Sequence, residues 1–557
     1  MKSVIGPSAS SASSSSSRSV RVGRREMLGL LLGAPLAAEA CRYLPRRTID
    51  GEIRGASMSV GHRLRDAFVE TTAAEPATHV SVAIIGAGPS GLSAAWRLER
   101  RGERDYVVFE LESVAGGSST YGTDGVVPYP CGAHYVPMPG SDDTPLVALL
   151  DEMGQLEPRA AGSTDELRAI ETALIREPEE RLFFDGAWRP GLYPSDGASP
   201  ADLAELTRFT QEMDGWARRR DASGKRAFTV PSSRCSTDAE FLELDRISAS
   251  AYLARRGYRS ARLGWYVDYA CRDDYGMSCE TTSAWAMIFY FAARIPDAGG
   301  ESAPFLTWPE GNGRLVRHLS RSAGQRLVTG RLVTDVVPRD DGVELAVFDV
   351  KTSRLVRYVA DHVIVATPKF VLPHLVRPFR ERPPEHLSHF TYGSWMVANV
   401  HLRGRPRSPG FPFAWDNVLH DSPSLGYVVA THQTLVDTGP TVWTYYQPFI
   451  DADPRAARER LAAADHAGFC DAILADLGRA HERLESFVER IDVWRWGHAM
   501  IRPVPGFFSS VERRRAAEPY GRVHFAHSDL SGLALFEEAL DHGVRAADEI
   551  LSLRGGP

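Results

Sequence analysis

Hydrophobic residues gather in short runs near the start, middle and end of the chain, and each run is closed by glycine or proline. Val80, Val82, Ile84 and Ile85 form one such run, which suits a strand buried on both faces. Gly86, Gly88, Pro89 and Gly91 follow, and the next positions predict a helix from Ser90 to Arg101 with Gly102 as its stop. Tyr106 to Phe109 reads as a second strand. Residues 145–300 are rich in helix formers broken by proline and glycine. There Leu203, Leu206, Phe209 and Met213 make a packing stripe at helical spacing. A second α/β block spans 305–375. A Gly311-Asn312-Gly313 turn enters a helix, antiparallel strands flank Asp340-Asp341-Gly342, and a buried strand ends at Thr367-Pro368. Residues 390–450 are strand-like and aromatic-rich. The chain closes with a strand, a loop and a helix beginning near Leu533.

The first run carries chemistry as well as structure. Gly86 allows a tight turn, Gly88 lets the backbone approach a phosphate, and Gly91 lets the helix pack closely on the strand. The helix N-terminus offers N–H groups to an anion. Glu110 closes the second strand 110 − 91 = 19 residues after the last glycine, where its carboxylate can accept from a ribose hydroxyl. Strand, glycine turn, helix, strand and acid together imply a bound dinucleotide.

Composition narrows the class. A chain of 557 residues has room for two or more domains. A net charge of −7 gives no reason to expect nucleic acid. The six cysteines include no C-x-x-C, which speaks against a zinc ribbon or a thioredoxin-like site. Cys271 and Cys279 are the nearest pair for a disulfide, and free buried thiols are the other reading.

Residues 1–40 read as an export signal. Lys2, Arg18, Arg21, Arg24 and Arg25 precede the first acid, and an apolar stretch too short to span a bilayer begins at Met27. Arg24-Arg25-Glu26-Met27-Leu28 resembles a bacterial twin-arginine signal. Such a route suits a protein that must take up a dinucleotide in the cytoplasm and cross the membrane folded. Ala38-Glu39-Ala40 offers a cleavage site, and Cys41 loosely resembles a lipoprotein acceptor. Residues 41–78 read as a tether. The expected location is periplasmic or envelope-associated.

The order of these blocks resembles the flavin-containing amine oxidase superfamily over roughly residues 79–557. That group includes monoamine and polyamine oxidases, protoporphyrinogen oxidase and phytoene desaturases. The resemblance rests on Gly86, Gly88, Gly91 and Glu110, on the loop Gly116-Gly117-Ser118, on Val333 with the turn at Pro368, and on Phe525-Ala526-His527-Ser528-Asp529. It implies FAD as cofactor. The 116–118 loop would lie under the pyrophosphate, with Ser118 where the family has arginine. Val333 would contact the adenine, Pro368 would lie near the cofactor, and Ser528 or Asp529 would bind the ribityl chain. His527 replaces a family glycine.

The resemblance further implies an α/β fold: a Rossmann-like FAD-binding domain from 79–150, 303–375 and 505–557, with a discontinuous mixed α+β substrate domain from 151–302 and 376–504. With no second G-x-G-x-x-G, electrons come from a small organic substrate and leave to oxygen or a membrane carrier. The family's lysine near flavin N5 is matched here by Pro373 or His374. His374 is the candidate for related work, and Lys369 sits closer to the turn. His134 is a candidate acid/base or hydrogen-bond donor at the flavin face. Tyr445, Tyr446, Trp494 and Trp496 are candidate channel aromatics, and Asp268, Asp273 and Asp274 are acids that could hold a cationic amine. The implied activity is hydride transfer from an amine to flavin. The alternatives are a desaturase or isomerase of an apolar substrate, and a flavin-fold envelope protein that has lost its chemistry.

Overall fold

The apolar run at Val80 is the middle of a sheet. Strand Thr78–Ile85 pairs in parallel with Tyr106–Phe109 on one side and with Arg354–Val365 on the other. The 354–365 strand is long enough to serve two partners on its far edge. Its first half runs antiparallel to Val343–Asp349, which pairs with Arg331–Pro338, and its end runs parallel to Val523–Phe525. Three separated stretches of chain therefore build one seven-stranded sheet. The computed structural model describes residues 48–65, 76–140, 143–159, 167–295, 304–451 and 453–555. The expected signal segment and Cys41 lie outside the described residues.

Helices Pro89–Arg100, Gly313–Ala323 and Phe536–Leu553 cover this sheet, and their apolar faces share one core with Ile84, Val108 and Ile364. The last helix begins a little later than the sequence pattern predicts, because a single 3₁₀ turn at Ser528–Leu530 comes first. Helices 536–553 and 89–100 approach closely. At Gly543 a Cβ would be driven into the Ser90 carbonyl and would also meet the Ala94 nitrogen.

A second, eight-stranded sheet has Tyr392–Leu402 between Val488–Ile501 and Thr441–Phe449, both antiparallel to it. All eleven residues of 392–402 are buried, so the strand is covered on both faces. Glu180–Phe184 and Asp416–Leu419 lie farther along the same sheet. A helical layer from 200 to 292 packs nearby, opening with Pro200–Arg218 behind a Ser199/Asp202 capping box.

One expectation is corrected, and one open choice is decided. The segment read as a tether is not loose after Asp50: Ile53–Gly55 adds a parallel strand to Val493–Arg495. A sheet edge satisfies backbone groups that a free linker would leave to water. Cys271 and Cys279 form no disulfide, and both are buried free thiols.

Gly543→Ala should destabilise the protein by about 1–3 kcal/mol, because the contact is with backbone that cannot rotate away. Denaturant unfolding of variant and wild type would check this, and an unchanged midpoint would contradict the close packing.

Candidate functional site

Each fingerprint glycine has its own geometric reason. Gly86 has φ +96°, a conformation L side chains rarely adopt. A Cβ on Gly91 would run into the Gly86 carbonyl, so strand end and helix start can touch only without one. Gly88 caps helix Pro89–Arg100 with ordinary φ, and nothing lies within 4 Å of where its Cβ would be. That open space belongs to a cavity of about 1310 Å³. Glu110 is held at its edge, accepting from Ala87 N–H at 2.7 Å and Glu112 N–H at 2.9 Å. Burial raises its pKa, while those two donors act against the rise.

The 116–118 loop docks on the same turn. Gly116 N–H donates to the Ala87 carbonyl at 2.9 Å, and Gly117 faces the Gly88 Cα. Ala133 N–H in turn donates to the Ser118 carbonyl at 2.9 Å. Gly86, Gly88, Glu110, Gly117, Ser118, Val333, Pro368, Ser528 and Asp529 all line the one cavity, with Gly91 and Gly116 just behind its wall.

Asp529 is the most constrained group there. Its carboxylate accepts from Lys369 N–H at 2.9 Å and Tyr392 O–H at 2.6 Å, and lies 2.9 Å from His527 Nδ1. Burial alone would raise its pKa, but the His527 imidazole and the Tyr392 and Lys369 donors hold it below the usual range. His527 has φ 157° and ψ 150°, a region otherwise kept for glycine, and its ring lines the cavity. Helix Phe536–Leu553 begins at the cavity, with Leu535, Phe536 and Ala539 on the wall. Burial pushes Glu537 in its first turn up to about 8, so the carboxyl is mostly neutral at pH 7 and scarcely cancels the positive helix end.

The other end of the cavity is aromatic. Trp494 and Trp496 stack at 5.7 Å and line it. Trp496 Nε1 donates to the Cys131 carbonyl at 3.0 Å, and Tyr446 O–H donates to the Gly132 carbonyl at 2.8 Å. Ala133 lines the cavity, while His134, Tyr446 and Trp415 lie behind that lining, the His134 ring packed on Tyr446 at 4.7 Å and Trp415 at 5.4 Å. Burial lowers the His134 pKa to about 4, so the imidazole is neutral at pH 7.

Other expected site residues lie elsewhere. His374 is on the short helix Leu372–Leu375, off the cavity, with its pKa lowered by burial and by Arg65 and Arg380. Lys369 is fully buried behind Asp529, with Nζ 5.2 Å from the Phe525 ring and no hydrogen-bond partner among the described residues. Burial lowers its pKa to about 7. Tyr445 points away from Tyr446, as alternate strand positions must, and bonds Asp476 at 3.0 Å inside the core. Asp268 and Asp274 are paired with Arg272 and Arg294. Tyr392 and Trp415 were not singled out in the sequence. Both sit in stretches whose only signal is buried aromatic character.

The cavity fits FAD. Its glycines leave room for the pyrophosphate at a helix N-terminus, Glu110 and Asp529 are placed for hydroxyl groups, and the aromatic end suits a flat ring. Comparison with known proteins agrees. The sequence model for flavin containing amine oxidoreductases matches residues 89–551. Oxidoreductase PigB of Serratia sp. (strain ATCC 39006) is 23% identical, over 84% of this chain and 74% of its own. Putrescine oxidase bound to putrescine has a similar structure, with TM-score 0.63, 19% identity, and coverage of 86% of this chain and 100% of that one. Cyclohexylamine oxidase from Brevibacterium oxydans IH-35A gives TM-score 0.60 at 16% identity, covering 86% and 99%. A fatty acid isomerase from P. acnes gives 0.58 at 15%, covering 84% and 98%.

Gly88→Val should fold, since open space surrounds the new side chain, but it should bind FAD at least about tenfold more weakly, equivalent to 1.4 kcal/mol. Circular dichroism and flavin fluorescence titration would separate the two effects. Full FAD affinity in the variant would place the pyrophosphate elsewhere.

Proposed function

The chain belongs to the flavin containing amine oxidoreductases, and from that premise we propose that it oxidises an amine at the carbon next to nitrogen. It is an FAD-dependent oxidoreductase. The bound flavin supplies the hydride acceptor, and a second substrate, for which we propose oxygen, takes the electrons on. The amine loses two electrons and one C–H bond to become an iminium, which water hydrolyses.

The observation that carries the amine reading is the aromatic wall beside the cofactor cavity. Trp496 and Tyr446 each hold a backbone carbonyl of 131–132, so their ring planes are fixed rather than free. Tyr446 and Trp415 flank a neutral His134. The Trp494–Trp496 part of this wall lines the cavity and suits the apolar part of an amine, while the neutral imidazole of His134, next in the chain to the cavity-lining Ala133, is the group we propose to accept from the ammonium before oxidation. His134 Nδ1 lies 3.3 Å from the Gly132 carbonyl, which leaves Nε2 for that role. Lys369 and His374 present no amine or imidazole to the cavity, so any water near the flavin would be positioned by other groups. That feature also favours the second reading, a desaturase or isomerase acting on an apolar chain.

We further propose that the chain is exported by the twin-arginine route, with FAD bound before export, and that Cys41 is a candidate lipid anchor. Among the described residues no helix is long and apolar enough to cross a membrane.

Anaerobic addition of an amine panel to the holoenzyme should bleach the flavin absorbance, whereas long-chain unsaturated acids should not. Bleaching by the acids alone would transfer the assignment to the second reading. Replacing Arg24 and Arg25 with lysine should abolish appearance of the protein outside the cytoplasm in a bacterial host. Unchanged fractionation would remove the twin-arginine reading.

A further inference from the structure

His527 stands on the cavity wall where packing gives it no reason to be. Strands Thr78–Ile85, Tyr106–Phe109, Arg354–Val365 and Val523–Phe525 run parallel, and the turns after them line the cavity. The lining residues of those turns bring the carboxyls of Glu110, Glu112 and Asp529, and no lysine or arginine. A dinucleotide adds two negative phosphates to this acidic edge. The N-terminus of helix Pro89–Arg100 answers part of that charge. His527 is the one side chain among these lining residues that can carry a positive charge.

Its backbone conformation, φ 157° and ψ 150°, is one that side chains rarely adopt, and a fold keeps such a residue only where its surroundings over-determine it. Core packing is not the reason, since the side chain is 24% exposed and faces the cavity. What fixes the ring is Asp529. Nδ1 lies 2.9 Å from Asp529 Oδ1 and 3.2 Å from the Asp529 backbone nitrogen. The Tyr392 hydroxyl and the Lys369 N–H both donate to the other oxygen, Oδ2, so His527 is the partner of Oδ1. Nδ1 is thereby engaged, and Nε2 has no hydrogen-bond partner among the described residues. With Nδ1 accepting from the backbone N–H, a neutral ring carries its proton on Nε2. With Nδ1 donating to the carboxylate, an anion at Nε2 draws a second proton onto the ring. Both arrangements present an N–H at Nε2 to an anion in the cavity.

Register shows which anion that is. Ile85 pairs with Val365 and Val365 with Phe525, so these strand ends are level. The Gly86–Gly88 turn leaves the first of them, and His527 follows the last, two strand spacings or about 10 Å away. Glu110 follows the strand on the opposite side of the glycine turn. A dinucleotide with its ribose hydroxyl at Glu110 and a phosphate at Gly88 therefore runs along this edge toward His527, and its flavin-side phosphate is the charged group on that path. We propose that His527 binds the flavin-side phosphate of FAD through Nε2, with Asp529 as the positioning residue that holds Nδ1 and aims the ring. The assignment needs FAD binding alone and is the same for an amine or an apolar substrate.

The test titrates the full chain, freed of flavin, with FAD, FMN and riboflavin and follows flavin fluorescence. FMN carries the flavin-side phosphate, and riboflavin carries none. The wild type should bind FMN at least about tenfold more tightly than riboflavin, as a charge-assisted hydrogen bond requires. In His527→Asn the amide can still bond Asp529 but stops short of the Nε2 position. That variant should bind FAD and FMN about tenfold more weakly, with riboflavin affinity unchanged. His527→Phe keeps a ring without nitrogens, and it should lose the preference for FMN over riboflavin in the same way. It decides the matter if circular dichroism shows that the asparagine variant does not fold. Equal affinity of the wild type for FMN and riboflavin would overturn the proposal. So would a preference that persists in a folded variant, or an equal loss for all three ligands, which would put the ring against the ribityl chain or the flavin instead.

Discussion

The buried carboxylate of Asp529 is the point on which the two halves of the molecule depend. It is 2% exposed and charged, a state that deep protein tolerates only with several donors. Its partners come from different places: the Lys369 N–H follows the long shared strand, the Tyr392 hydroxyl opens the central strand of the second sheet, and the His527 imidazole is two residues away. Removing any of them weakens the compensation of that charge, so this one group ties elements of both sheets together. The cavity lies where these pieces meet, and its shape follows from that arrangement.

How much of this could be read from the sequence depended on whether local rules sufficed. Gly86, Gly88, Gly91 and Glu110 were legible because turn, approach and close packing are settled within thirty residues. The glycines of the 116–118 loop and Asp529 were legible by resemblance. The expectation for Tyr445 was an error of alternation: on a strand covered on both faces, composition does not tell which neighbour looks toward the site. His374 was placed by counting along the chain, but the turn after Pro368 winds into a 3₁₀ segment and a short helix that carry it off the cavity. The pairing of Glu180 with Asp416 joins residues 236 positions apart (416 − 180), and no local pattern predicts it.

The charges of this interior fall into three kinds. Asp274, Asp268 and Asp529 are fixed by partners and behave as structure. Glu180, Asp273 and Asp416 have no ion-pair partner among the described residues, and Asp416 accepts only from the Tyr269 hydroxyl at 3.4 Å besides its own strand's backbone. Lys369 is the third, a buried amine with no acceptor among the described residues, whose pKa burial lowers to about 7. It stands behind the cofactor wall and not in it, so its partial neutrality serves packing against Phe525 and Asp529.

The strand Ile53–Gly55 has a consequence for the order in which the molecule is completed. Its partner begins at Val493, 440 positions farther along the chain (493 − 53). Residues 57–65 continue from it along the cofactor cavity, and Ser57 is tied to Glu112 by two hydrogen bonds at 2.7 Å. Anchored on a strand whose partner is so distant in sequence, this wall can be set in place only once residues 493–495 are in theirs. Whatever loosens the edge of the second sheet at 493–495 would therefore loosen the cavity wall at 57–65 with it.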